Sequence, residues 1–449
     1  MFAKLCNLFR KKPDTDGTYP KQVFYQPMVV LQEFMKMEAA AGIILLICAI
    51  LAMVLANTPL EYWYNLVLYE TTAQVRIGSL DLEKDLILWI NDGLMAIFFF
   101  LVGLELKREM MEGMLSKPSQ VVLPIIAAIG GMAVPALIYY GFNVNNADPT
   151  AVHGWAIPTA TDIAFAIGIF SLVGKGLPSS LKVFLLALAI IDDLGAILII
   201  GIFYSHGLSI ANLGLAAVFL GFLIMMNRMN VSKGSMYLLF GVALWVCVLK
   251  SGVHATIAGV IIAFCIPLTT PGNRRSLLRQ LEHDMHGMVA FCIMPLFAIA
   301  NAGVSLAGSS WGLLVESITL GVALGLFLGK QAGILGAVFI AVKLKLAKLP
   351  EHCKWIHVLG VAALAGIGFT MSLFVSSLAF GGGHDGMGAV STHLVEAKVG
   401  ILMGSTVSAL VGLFLLKYAS KKYPLKTADD EILQEVTHKN EVPKEATNA

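Results

Sequence analysis

The sequence predicts an all-α polytopic membrane protein with twelve transmembrane helices, inverted repeats and two discontinuous helices, plus a small extracytoplasmic β-hairpin. The first observation is composition: 57% of the 449 residues are hydrophobic and 13% are charged, against roughly 25% charged residues in soluble domains. Second, apolar stretches of about 20 residues recur, each long enough to cross a ~30 Å hydrocarbon core. Third, Pro and Gly interrupt two of these stretches, one in each half of the chain.

Residues 1–38 are predicted to form a cytoplasmic N-terminal tail. The opening MFAKLCNLFRKK lacks the apolar core and cleavage site of a signal peptide, so we expect this terminus to be retained. The following PKQVFYQPMVVLQEFMKMEAA is a candidate interfacial helix. Residues 39–417 form the predicted membrane domain. Residues 418–449 are polar, charged and aperiodic, which predicts a disordered cytoplasmic tail.

Twelve spans account for the apolar stretches of the membrane domain. They are placed at 39–57, 87–106, 120–142, 156–174, 181–204, 210–226, 234–249, 254–268, 288–307, 318–342, 356–380 and 398–417. Lys and Arg favour the cytoplasmic side of a membrane. With both termini inside, 26 of the 31 Lys and Arg residues fall in the two tails and the alternate loops. The sequence therefore predicts that both termini are cytoplasmic.

The loop 58–86 contains QVRIGSLDLEK, in which two runs of alternating apolar and polar residues flank Gly78-Ser79. A Gly-Ser pair between such runs is typical of a two-residue type II′ hairpin, which we place at 74–83. An exposed hairpin edge can pair with its copy in a second molecule. We therefore expect a homodimer formed through this hairpin. A plain extracytoplasmic loop is the alternative.

Asp192 and Asp193 lie in ALAIIDDLGAILII, residues 187–200, near the middle of the span 181–204. A charge at that depth costs at least ~2.5–3.5 kcal/mol on insertion scales. One interpretation is a salt bridge that locks helices together, for which a single acid suffices. The other is an ion site, because coupled carboxyl groups bind protons or offer hard oxygen ligands to a small cation. A site that holds either, but not both, is the chemical basis of exchange.

Two spans contain helix-breaking residues at membrane depth. Residues 156–168 read AIPTATDIAFAIG and include Pro158 and Asp162, while residues 365–374 read AGIGFTMSLF and include two glycines and Thr370. Broken backbone at this depth is tolerated where it lines protein or a cavity. One such stretch in each half indicates a transporter built from inverted repeats. Either stretch alone is also compatible with a simple helix kink.

Four further charges lie in or beside the spans. Lys330 lies in the middle of 318–342, too deep to reach either surface easily, and is predicted to pair with one of the central acids. In a tilted span it would instead reach an interface. Asp92 lies near the outer end of its span. It is interpreted either as part of a solvated helix end or as a residue on the ion path. Glu396 and Lys398 begin the last span and are interpreted as interfacial anchors.

At these residues the chain resembles the bacterial NhaA family of sodium–proton antiporters along most of residues 39–417. The matching stretches are LWINDGLMAIFFFLVGLELKRE, IAAIGGM, PTATDIAFA, ALAIIDDLGAI, LKSGVHATIAG, LFAIANAGVSL, LGK and GIGFTMS. The combination of ALAIIDDLG with TDIAFA upstream is highly specific to this family. The chain departs from the shorter family pattern at both ends, where its tails are longer.

The resemblance implies roles for five residues within the spans. Asp192 and Asp193 match the acids that bind sodium or lithium and carry protons, and Thr161 matches a proposed cation ligand. Asp162 matches the acid between two crossed chain breaks, where it compensates helix-end charges. Lys330 matches the lysine that pairs with the first acid of the pair.

The resemblance also implies a pH response near the inner mouth. The candidate residues are Glu105, Arg108, Glu109, Glu282, His283 and His286. His titrates near neutrality, so a cytoplasmic cluster of His and Glu can sense protons. A solvated loop is the alternative. His254 in SGVHATIAG also matches a pH-response position, but we interpret it as polar packing at a helix start.

The activity implied by the resemblance is an electrogenic, pH-regulated exchange of cytoplasmic Na⁺ or Li⁺ for external protons across the bacterial inner (plasma) membrane. We expect contact with membrane lipid, and no nucleic-acid partner, cofactor or enzyme activity. An intramembrane aspartyl protease is disfavoured, because such enzymes place their two acids on different helices, one in a GxGD stretch that this sequence lacks. A passive cation channel does not need deep protonatable acids balanced by a lysine.

Overall fold

The structure, a computed structural model, describes residues 26–423 except 79, 117, 174–175, 206, 269–275, 306–310 and 382–390. The first 25 residues lie outside the described residues. So do the residues beyond 423, which make up most of the predicted disordered tail. The described chain is mostly helical and contains one two-stranded antiparallel sheet.

The described α-helices are labelled in chain order. They are α1 Gln26–Ala56, α2 Glu61–Glu70, α3 Leu86–Met111, α4 Pro118–Asn143, α5 Ile163–Val173, α6 Ser179–Phe203, α7 Ile210–Arg228, α8 Gly234–Leu249, α9 Thr256–Cys265, α10 Leu277–Ala302, α11 Ser317–Lys343, α12 Trp355–Ala365, α13 Phe369–Phe380 and α14 Thr392–Lys422. A 3-10 helix, Pro149–Thr159, precedes α5. Three of the long helices, α3, α10 and α11, each contain one π-helical turn.

Seven of the described helices are long and apolar enough to cross a membrane. Bent helix pairs raise that number to as many as ten, and α8 and α9 are shorter apolar helices. The chain is therefore a multi-pass membrane protein. The count of twelve spans and the inverted repeats stay predictions.

The first and last helices extend beyond the predicted spans. α1 begins at Gln26, so the segment interpreted as an interfacial helix continues into the first span without a break. The stretch QEFMKMEAAA explains the continuity, because Gln, Glu, Met, Lys and Ala are all strong helix formers. α14 likewise runs from Thr392 to Lys422, through the beginning of the predicted C-terminal tail.

Apolar packing forms two clusters. The larger surrounds the broken helices and includes Phe99, Phe297 and Phe374, and the smaller joins α7, α8 and α9. α7 keeps many apolar side chains exposed, including Leu215 and Val218, as expected for a helix that faces lipid.

The crossing of α4 and α11 brings their backbones into close contact. A Cβ atom on Gly130 would lie 2.4 Å from the carbonyl oxygen of Gly333, and one on Gly333 would lie 2.1 Å from that of Gly130. Both positions therefore require glycine. α4 also packs against α6, so the crossing brings Lys330, one turn before Gly333, close to the acid pair on α6.

The predicted hairpin is confirmed. Strand β1, Thr72–Ile77, pairs antiparallel with β2, Leu80–Asp85, and Ile77 faces Leu80 across a two-residue turn. Gly78 has a φ of +61°, the left-handed value that the first position of a primed hairpin turn requires. The hairpin leads directly into α3.

Candidate functional site

Two broken helix pairs meet through their breaks. The 3-10 helix and α5 are bent by 40° around residues 160–162, and α12 and α13 by 43° around residues 366–368. Asp162 donates its backbone N–H to the carbonyl oxygen of Ile367 at 2.7 Å, and Thr161 donates its hydroxyl to that of Ala365 at 2.7 Å. The first break therefore donates hydrogen bonds to carbonyl groups at the second break. Satisfied backbone groups make a broken helix tolerable inside a membrane.

Asp162 joins the starts of α5 and α13. Its Oδ1 accepts the backbone N–H of Phe165 at 3.0 Å, and its Oδ2 accepts both the backbone N–H of Thr370, at 3.0 Å, and the Thr370 hydroxyl. The carboxylate thus lies at two helix N-termini, where the helix dipoles carry partial positive charge. It is only 1% exposed, so these donors supply the compensation that solvent would otherwise provide.

Lys330 lies against Asp192. Its Nζ is 2.6 Å from Asp192 Oδ2, and it also donates to the carbonyl oxygen of Thr159 at 2.5 Å and to the Thr161 hydroxyl at 3.0 Å. Both charged side chains are about 98% buried or more. The structure thus places Lys330 in the interior rather than at an interface, and its ammonium group joins α6 to the first break.

Asp193 has different surroundings from its neighbour. Both of its carboxylate oxygens are buried and make no hydrogen bond with the described residues, and Oδ1 of Asp192 also lacks a partner there. An isolated ionised carboxylate is costly to bury, so a proton or a cation must compensate Asp193. Two consecutive residues of α6 therefore carry three buried carboxylate oxygens without a partner in the described part of the chain, and hard oxygen ligands are what small cations prefer.

Thr370 is the residue of this site to which the sequence assigned no role. In the sequence it stands out only as part of a helix-breaking stretch, yet it supplies two of the donors to Asp162. The available signal was its position, because a Thr in the first turn after a glycine-rich break has its backbone N–H free for a ligand.

A second ionic cluster joins the end of α3 to α10, and five of the six inner candidates for pH response belong to it. Arg108 contacts Glu282 at 3.0 Å and Glu109 at 2.6 Å. His286 Nδ1 lies 3.7 Å from Glu105 Oε1. These five residues are named here the Arg108 cluster. The sixth candidate, His283, is 83% exposed and lies near Asp284 instead.

His254 lies away from the Arg108 cluster. Its Nδ1 is 2.8 Å from the hydroxyl of Thr256 at the start of α9, and its Nε2 is 3.8 Å from Asp92. Asp92 also forms an ion pair with Lys84 of β2 at 2.6 Å. Asp92 is thus paired and mostly buried rather than a solvated helix end. Along α3, thirteen residues at ~1.5 Å each separate it from Glu105, roughly 20 Å.

Lys398 is not the interfacial anchor that the sequence suggested. It is 3% exposed, and its Nζ lies 3.4 Å from the carbonyl oxygen of Gly303, just beyond the end of α10. The difference arises because α14 begins at Thr392, which places Lys398 almost two turns inside the helix. Glu396 is half-buried.

The acid pair offers few charged ligands to a cation. No group of three or more His, Cys, Asp and Glu side chains within the described ranges is placed to hold a metal ion. Asp192 and Asp193 carry two carboxylates, and the Thr161 hydroxyl and Asp192 both accept hydrogen bonds from the Lys330 ammonium group. Few charged ligands favour reversible binding, because affinity for a hard cation rises with ligand charge.

Comparison with known proteins gives a consistent picture. A family model described as Na⁺/H⁺ antiporter 1 matches residues 32–416. The chain is 54% identical over 389 residues to Na(+)/H(+) antiporter NhaA 1 of Pseudomonas putida, covering 87% of this chain and 96% of that protein. It is 53% identical over 390 residues to Na(+)/H(+) antiporter NhaA of Yersinia enterocolitica, covering 87% and 97%. With Na(+)/H(+) antiporter NhaA of Sulfurovum sp. it shares 51% identity over 398 residues, covering 88% and 99%.

Proposed function

This chain belongs to the Na⁺/H⁺ antiporter 1 family, and we propose that it exchanges cytoplasmic Na⁺ or Li⁺ for external protons at the Asp192–Asp193 pair. Members of this family are transporters, so the chain is not an enzyme. The names of its relatives support Na⁺/H⁺ antiport. The choice of Li⁺ as a second cargo, the electrogenic stoichiometry, the pH regulation and the role of the acid pair are our proposals.

The observation that carries the proposal is the unpartnered carboxylate of Asp193. With Asp192 paired to Lys330, the ionised Asp193 leaves a net negative charge buried in the protein. A proton neutralises that charge, and so does Na⁺, but the same oxygens cannot hold both. Competition for one site couples the two ions, because the loaded carrier holds either cargo and the empty, charged site is unfavourable in the membrane interior.

Lys330 supplies the second exchangeable proton in this scheme. When Na⁺ enters, Asp192 turns its oxygens to the cation and the ion pair with Lys330 breaks. A buried ammonium group without its partner is costly, so Lys330 releases a proton as Na⁺ binds. Loss of protons from both Asp193 and Lys330 makes the exchange electrogenic, because more positive charge enters with the protons than leaves with the cation.

The two bent helix pairs, which cross at their breaks, are the elements that move during transport in this proposal. Asp162 and Thr370 connect the two bent pairs through hydrogen bonds, and Thr161 links the break to Lys330. A small rotation of these pairs opens the acid pair to one membrane face and closes it to the other. We propose that the Arg108 cluster sets the pH at which this motion begins, that both termini face the cytoplasm of the inner membrane, and that the hairpin joins a homodimer.

The proposal is tested in sealed proteoliposomes that carry an acidic interior and a pH-sensitive dye. Addition of Na⁺ or Li⁺, but not K⁺, is expected to cause dequenching that increases with pH and disappears in Asp193→Asn. Asp284→Asn is the matched control, because Asp284 is 62% exposed beside His283, and it should keep wild-type dequenching. Full activity in Asp193→Asn would overturn the assignment of the acid pair.

The same vesicles separate an antiporter from a passive cation channel. With the potential clamped by K⁺ and valinomycin, an electrogenic antiporter moves protons in response to a Na⁺ gradient alone, and an imposed potential changes the rate. A channel carries Na⁺ current without moving protons against their gradient. Na⁺ flux that leaves the internal pH unchanged would contradict exchange.

A further inference from the structure

The last helix, α14, contacts the break between α12 and α13. Gly404 of α14 packs against Ala323 and Leu326 of α11, where a Cβ atom would lie 3.0 Å from backbone atoms of Ala323. This close approach brings the next residue, Ser405, and Ser408 one turn later, to the unwound residues 366–368. Both serines are nearly inaccessible, at 5% and 0% exposed.

Ser405 satisfies a backbone group of the break. Its hydroxyl oxygen accepts the N–H of Gly368 at 3.2 Å. Gly368 precedes α13, so without this acceptor its N–H would be one of the unpaired donors of a helix start. The bond therefore holds the break at a defined height along α14, two residues before Thr370 binds Asp162.

Ser408 faces the same break but makes no hydrogen bond there. Its Oγ is buried and has no partner among the residues that the structure describes. It lies against Gly366, where a Cβ atom would be only 2.6 Å from that oxygen. A buried hydroxyl without a partner is unfavourable, and this one points directly at a stretch of backbone that is not in a helix.

We propose that Ser405 and Ser408 are positioning residues that hold the break in its two transport positions. The two hydroxyls lie on one face of α14 and are about 4.5 Å apart along its axis. If α12 and α13 move until Gly368 reaches the place that Gly366 occupies now, the N–H of Gly368 passes from Ser405 to Ser408. Shifts of about one helical turn between packed elements are a known form of switching.

The consequence for transport follows from the connection to the ion site. Gly368 is covalently linked to Ile367 and lies close to Thr370, and both of these bond to Asp162. Each position of the break therefore fixes one orientation of Asp162 and of the adjoining first break. Ser405 stabilises the present orientation, and Ser408 stabilises the other. This inference rests on the proposed exchange and adds a residue pair that sets the balance between its two states.

The test measures the KM for Na⁺ at each membrane face, in right-side-out and everted vesicles, for Ser405→Ala and Ser408→Ala. Apparent affinity at a face is reduced by the fraction of protein in the state that opens to it. One lost hydrogen bond changes that balance by about 3- to 10-fold. The ratio of the two KM values is expected to move in opposite directions in the two variants.

Three controls make the result decisive. Thr406→Ala removes an exposed hydroxyl from the adjacent position and should leave the ratio unchanged, and Ser405→Thr should restore the ratio lost in Ser405→Ala. Wild-type vesicles without Na⁺-driven proton movement would reject the proposed function itself. Active variants whose ratios stay at the wild-type value, or move in the same direction, would reject the two-position role. Ser408→Ala removes a hydroxyl that has no partner here, so it should fold even if Ser405→Ala does not.

Discussion

Asp192 and Asp193 are adjacent on α6, yet only Asp192 is paired: Lys330 Nζ lies 2.6 Å from its Oδ2, while both oxygens of Asp193 lack a hydrogen-bond partner in the described part of the chain. The difference arises from helix geometry, since consecutive side chains point about 100° apart. One acid therefore faces the lysine on α11, and the next faces elsewhere. The arrangement therefore leaves Asp193 buried without a hydrogen-bond partner among the described residues.

Substitution of Lys330 by Gln is expected to destabilise the protein by about 3–5 kcal/mol, because it leaves Asp192 buried without its partner. Thermal unfolding in detergent, monitored by fluorescence, measures the loss. The double variant Lys330→Gln/Asp192→Asn should recover much of the stability, since neither position then carries a buried charge without its partner. If the two substitutions are simply additive, the ion pair does not contribute as the structure indicates.

Substitution of Thr370 by Val removes a hydroxyl that donates to Asp162 while keeping the shape of the side chain. Hydrogen bonds to charged groups contribute about 1.5–3 kcal/mol, so the variant should be less stable and its Na⁺-dependent exchange at least about tenfold slower. The matched control is Thr406→Val on an exposed face of α14. Equal exchange rates in Thr370→Val and the control would show that Asp162 does not need this donor.

Substitution of His286 by Gln tests the Arg108 cluster as a pH sensor. His286 Nδ1 lies 3.7 Å from Glu105 Oε1, close enough for a positively charged ring to attract that carboxylate and hold the cluster in its inactive arrangement. Gln is neutral throughout, so the variant should exchange ions at lower pH than the wild type does. His283→Gln, which changes an exposed ring outside the cluster, should keep the wild-type profile. Identical midpoints in all three proteins would refute the sensor.

Deletion of residues 74–83 is expected to weaken dimers and leave transport intact. The hairpin exposes its edge and the side chain of Val75, and an unpaired edge can extend its ladder with a second copy. Analytical ultracentrifugation in detergent measures the dimer, and dye dequenching measures transport. Arg76→Ala keeps the backbone ladder and serves as the control. A deletion variant that sediments as a stable dimer would contradict the role.

Local sequence patterns predict several features of the fold, because the backbone preferences of single residues determine those features. The alternation of apolar and polar residues around Gly78 predicts the strand pairing that the structure shows, with Ile77 facing Leu80 as expected for a two-residue turn. Pro158 and the glycines at 366 and 368 marked the two breaks. In each case the backbone preference belongs to one residue, the fixed φ and missing N–H of Pro or the conformational freedom of Gly, so no knowledge of distant packing is needed.

Other features depend on packing that the sequence does not reveal. The residues alone left open which acid Lys330 contacts, because the answer depends on the close crossing at Gly130 and Gly333. The apolar pattern predicts a helix start at residue 398 and so a surface lysine, whereas the helix begins six residues earlier at Thr392 and Lys398 is buried. No local pattern identifies the role of Thr370, because its partner, Asp162, is 208 residues away.

Competition between Na⁺ and protons for Asp193 is tested most directly by measuring proton release when purified protein binds Na⁺ in a weakly buffered solution, together with the Kd for Na⁺ at several pH values. If Na⁺ and protons compete for Asp193, the apparent Kd falls as pH rises, protons appear in solution as Na⁺ binds, and both effects vanish in Asp193→Asn. A Kd for Na⁺ that is the same at every pH, with no protons released, would contradict competition at Asp193.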